Sequence, residues 1–65
     1  MHEEKVTFYC TEDELMALER ARLALRGYGI SVDRGRIIRE ALSITLEDVD
    51  RAGADSLLVE RLGRL

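Results

Sequence analysis

The stretch Asp33-Arg34-Gly35-Arg36, followed by Arg39, has the residue types of an anion site. Asp33 is a good N-cap, and the apolar run from Ile37 marks the helix that follows it. Arginine is the wrong charge for a helix N-terminus, where the macrodipole is positive. Three arginines in the first two turns make sense if a phosphate sits there, held by backbone N–H groups and guanidinium forks. A solvated basic face accounts for the same residues taken alone. The stretch upstream favours the phosphate. Lys5-Val6-Thr7-Phe8-Tyr9-Cys10 alternates, with Lys5, Thr7 and Tyr9 on one side and Val6, Phe8 and Cys10 on the other. Lysine, threonine and tyrosine are side chains that can bond base edges or phosphates.

Catalytic chemistry finds no support. His2 is the only histidine and Cys10 the only cysteine, so there is no nucleophile–base pair and no four-ligand zinc set. A thiol on the apolar side of a strand acts as a small hydrophobe. The glycines at 27, 29 and 35 do not have the spacing of a nucleotide-binding loop. The expectation is a protein that is not an enzyme, with no cofactor and no metal.

The elements that must position these residues follow from the pattern. Residues 1–4 are expected to be disordered. Residues 5–10 predict a short strand, but no second strand occurs in the chain, so its ladder partner must come from another molecule. In a symmetric dimer that partner is the same strand, antiparallel across the two-fold axis. Thr11 and Glu14 form a capping box for a helix running to about Arg26. Gly27 and Gly29 are both suited to end it. Ile30-Ser31-Val32 connects to the second helix, capped by Asp33 and running to about Asp50. Its residues Ile37, Ile38, Ala41, Leu42, Ile44, Leu46 and Val49 cover far more than one stripe, which predicts burial on most sides. A last short helix starts at Ala54 or Asp55, with Leu57, Leu58 and Leu62 apolar.

At 65 residues the chain holds one domain at most and is marginal alone. With no disulfide or metal to staple it, oligomerisation is the remaining device, and a homodimer is expected. The net charge is −3, mildly against nucleic acid. Its distribution matters more, because Lys5, Arg20, Arg22, Arg26, Arg34, Arg36 and Arg39 all precede residue 40. No apolar run reaches the roughly 20 residues of a membrane span, and the start of the chain lacks a signal-peptide apolar core. A single free cysteine fits the cytoplasm. No membrane association is expected.

Two paired strands make a ribbon that fits the major groove of B-DNA, with Lys5, Thr7 and Tyr9 of each copy exposed on it. The order of strand, helix, connector and helix, with Lys5-Val6-Thr7-Phe8 and Ile38-Arg39-Glu40-Ala41-Leu42 as its most specific pieces, resembles the ribbon-helix-helix superfamily of DNA-binding proteins (the Arc, MetJ and CopG type). The resemblance covers residues 5–50. It implies a mostly α fold with one short β-strand: an intertwined homodimer with an intermolecular two-stranded antiparallel ribbon, here extended by a short C-terminal helix over 51–65. It also implies base contacts from Lys5, Thr7 and Tyr9, a core filled by Val6, Phe8 and Cys10, and a phosphate clamp from Asp33, Arg34 and Gly35. Two departures stand out. The connector is longer than the common form. Arg36 replaces an acid found in many relatives, adding phosphate attraction.

The expected function is a cytoplasmic transcriptional regulator, a repressor, that binds double-stranded DNA. Two rivals stand beside it. One is an antitoxin or DNA-partition protein that uses the same fold and holds a protein partner through residues 52–65. The other is a dimeric helical adaptor that never touches DNA.

Overall fold

A computed structural model describes residues 4, 5 and 7–64. Among them the only regular elements are helical: α1 over Glu12–Gly27, α2 over Arg34–Ala52, a 3-10 turn over Gly53–Asp55, and α3 over Leu57–Leu62. None is long and apolar enough to cross a membrane. The chain divides into two compact units, Met1–Ser31 and Val32–Leu65.

The expected strand and ribbon are corrected. No strand is present among the described residues, and Lys5 and Thr7–Cys10 are non-helical and exposed. Alternation and β-propensity are local signals, whereas a strand needs a second edge to bond. The described residues supply none. The expected inward side does not fill a core either, since Phe8 is 58% exposed and Cys10 is exposed. Val6, assigned to that core, and positions 1–3, expected to be disordered, lie outside the described residues.

In the first unit, α1 starts as its residues dictate. The Thr11 hydroxyl accepts from the Glu14 N–H (3.0 Å), and the Glu14 carboxylate accepts from the Thr11 N–H (2.7 Å). Glu12, Asp13 and Glu14 place negative charge on the positive end of the dipole. The far end is a Schellman closure. The Ile30 N–H reaches the Leu25 carbonyl (2.9 Å) and the Gly29 N–H the Arg26 carbonyl (3.0 Å). Gly29 makes this possible with φ +83, in the left-handed region. On the flank of α1, Arg22 bonds Glu19, and that hydrogen bond, aided by the carboxylate charge, pushes the guanidinium pKa further up.

In the second unit, the Asp33 carboxylate caps α2 by accepting from the Arg36 N–H (2.8 Å). The helix stops at Gly53, whose φ of +54 turns the chain out of the helical path. The 3-10 turn then leads into α3, a helix too short to hold by itself. Two side chains fix its start. Ser56 is fully buried. Its hydroxyl accepts from the Val59 N–H (3.3 Å), its own N–H donates to the Gly53 carbonyl (3.0 Å), and its carbonyl accepts from the Glu60 N–H (3.0 Å). Every polar group of this buried serine is thereby satisfied. The second side chain is Asp48 on α2. One of its oxygens accepts from the Leu57 N–H (2.9 Å), and the other holds Arg51 (2.9 Å). The sequence pattern puts the start of this helix at Ala54 or Asp55. The true cap is Ser56, directly before the apolar residues.

Asp48 is therefore the tie between α2 and α3. Asp48→Ala should lower stability by about 1–2 kcal/mol through the lost cap on Leu57. Arg51→Ala, which removes only an exposed ion pair, should cost less than about 0.5 kcal/mol. Thermal melts of both variants check this. Equal losses would shift the tie to the ion pair.

No hydrophobic residue is buried among the described residues. Leu18 and Leu25 on α1 are half-buried, as are Ile37, Ile38 and Val49 on α2. Leu42, Ile44 and Leu46 on α2 are 56%, 67% and 49% exposed. The breadth of the apolar surface on α2 follows from its sequence, and among the described residues Leu42, Ile44 and Leu46 stay about half exposed or more.

Candidate nucleic-acid interface

The phosphate residues expected from sequence come together at the start of α2. Arg34, Gly35 and Arg36 are its first three residues, and Asp33 precedes them, all exposed. A helix start leaves its first N–H groups without intrahelical partners. Here Asp33 satisfies that of Arg36, and the Asp33 carbonyl accepts from Ile37 (3.2 Å). The N–H groups of Arg34 and Gly35 have no acceptor among the described residues and point outward at the dipole's positive end.

The contrast with α1 is informative. The first turn of α1 holds three acids, whereas that of α2 holds none. Two helices of one chain thus treat the same dipole in opposite ways. Arginine in a first turn costs roughly 0.3–1 kcal/mol when nothing anionic compensates it. Part of the compensation is local. Arg36 pairs with Glu40 through Nε and Nη2, both at 3.1 Å. Both side chains are more than half exposed, and a basic residue N-terminal to an acidic one at this spacing is the weaker order. Such a pair contributes about 0.3 kcal/mol and yields readily to a phosphate.

Arg39 adds a cation beyond the expected clamp of Asp33, Arg34, Gly35 and Arg36. Its Nη1 lies 4.0 Å from where a Cβ on Gly35 would stand. The guanidinium thus folds back along the helix toward Gly35. The signal was present in the spacing, because residues four apart share a helix face. The Asp33 Oδ1 is 3.5 Å from the same point, and Asp33 and Glu40 are the two acids set against Arg34, Arg36 and Arg39 here. The local balance stays positive.

Gly35 lies in a helix, where glycine costs up to about 1 kcal/mol relative to alanine. A Cβ there would meet only ordinary contacts. Gly35→Ala should therefore raise stability by up to about 1 kcal/mol and, by placing a methyl close to the open N–H, weaken severalfold the affinity for any phosphate held at this helix start. Melting and binding measured on the same preparation check both parts. A rise in both would exclude backbone contact at Gly35.

The expected base-contacting residues Lys5, Thr7 and Tyr9 belong to the other unit, Met1–Ser31. All three are exposed, Tyr9 at 95%, in the non-helical segment before α1. They are available to a ligand but not aligned by a ladder. No group of histidine, cysteine or acidic residues among the described residues could hold a metal ion.

No protein family, curated protein or solved structure matches this chain.

Proposed function

We propose that the chain binds double-stranded DNA as a homodimer and regulates transcription in the cytoplasm, with repression as the expected outcome. The observation that carries the proposal is the start of α2: Arg34 and Arg36 in a first turn with no acid and two open N–H groups, and the Arg39 guanidinium close to Gly35. Helix N–H groups and arginines hold phosphates and fix register, while sequence is read elsewhere. The exposed segment with Lys5, Thr7 and Tyr9 is assigned the base contacts. This assignment keeps the part of the ribbon-helix-helix resemblance carried by the helices and drops the ribbon. The homodimer is supported by the apolar side chains left exposed among the described residues, none of which is buried, because a domain of this size with so little buried does not offset its folding entropy.

Selection of bound duplexes from a random pool tests the proposal. The expected product is a two-fold-symmetric site. Lys5→Ala and Thr7→Ala should each cost about 1–3 kcal/mol on that site and relax its sequence preference. An unchanged preference in both variants would remove these residues from the interface.

A second reading has its own observation. Leu57, Val59 and Leu62 of α3 are 59%, 42% and 60% exposed, a surface that suits a protein partner on residues 52–65. The protein would then be an antitoxin or partition factor that also binds DNA. A stable complex with a toxin or a partition ATPase distinguishes it. A helical adaptor without DNA binding would show no salt-dependent affinity for any duplex.

A further inference from the structure

We draw no further inference here: the strongest candidate, the exposed apolar side chains Leu57, Val59 and Leu62 of α3, carries nothing because no feature of the structure shows what covers them.

Discussion

Replacing Leu42 and Ile44 together with glutamate should abolish both assembly and folding. The two side chains sit 56% and 67% exposed on α2. They lie on different sides of the helix, since two residues apart is about 200° of rotation. Leu46 continues the first side at i+4, while Ile37 and Ala41 continue the second at i−7 and i−3. Covering a leucine or isoleucine contributes about 1.5–3 kcal/mol. With about three-fifths of each side chain still to be covered, two residues in each of two copies then contribute about 4–7 kcal/mol, comparable with the whole stability of a marginal small domain. The double variant should elute as a monomer with little helical circular dichroism. The unsubstituted chain should be a dimer whose melting temperature rises with protein concentration. A double variant that keeps its dimer mass and melting temperature would show that this surface of α2 is not the interface.

The second large effect separates stability from function. Arg34→Ala, Arg36→Ala and Arg39→Ala in one chain should remove most DNA affinity and leave the fold at least as stable. Alanine is the best helix former, and removing cations from a helix start relieves about 0.3–1 kcal/mol of dipole repulsion for each residue near it. Asp33 still caps the Arg36 position through the backbone, so the helix keeps its start. Binding suffers in the opposite direction. Each phosphate contact contributes about 0.9 to the salt slope, and a dimer carries each arginine twice, so the slope should fall by up to about 5. Unchanged binding with raised stability would mark the arginines as a solvated face. Loss of both would mark them as structural.

The legible and illegible parts of this chain differ in range. The start of α1 was legible because Thr11 and Glu14 are three residues apart and satisfy each other's backbone. Asp33 was legible from the same three-residue spacing, although there only the Asp33 carboxylate acts, on the Arg36 N–H. The strand failed because alternation over residues 5–10 says which sides a strand would have, not whether an edge exists to bond it. The cap at Ser56 was missed for a related reason. Its burial depends on Gly53 turning the chain, and its support comes from Asp48, nine residues before the N–H it holds. Within the candidate site, Asp33 through Arg36 could be read from type and position. The fold-back of Arg39 over Gly35 required coordinates, because arginine rotamers are not set by sequence.

The most direct measurement is fluorescence anisotropy of the purified chain on labelled duplex DNA from its own promoter. It should be run as a salt series, beside unrelated duplex and the triple arginine variant. The expected result is tight binding to the promoter duplex with a steep salt slope, and weaker binding with a reduced slope for the variant. Salt-insensitive or absent binding at low salt, or an undiminished salt slope in the variant, would contradict phosphate contacts by the start of α2, and equal binding to both duplexes would contradict sequence recognition.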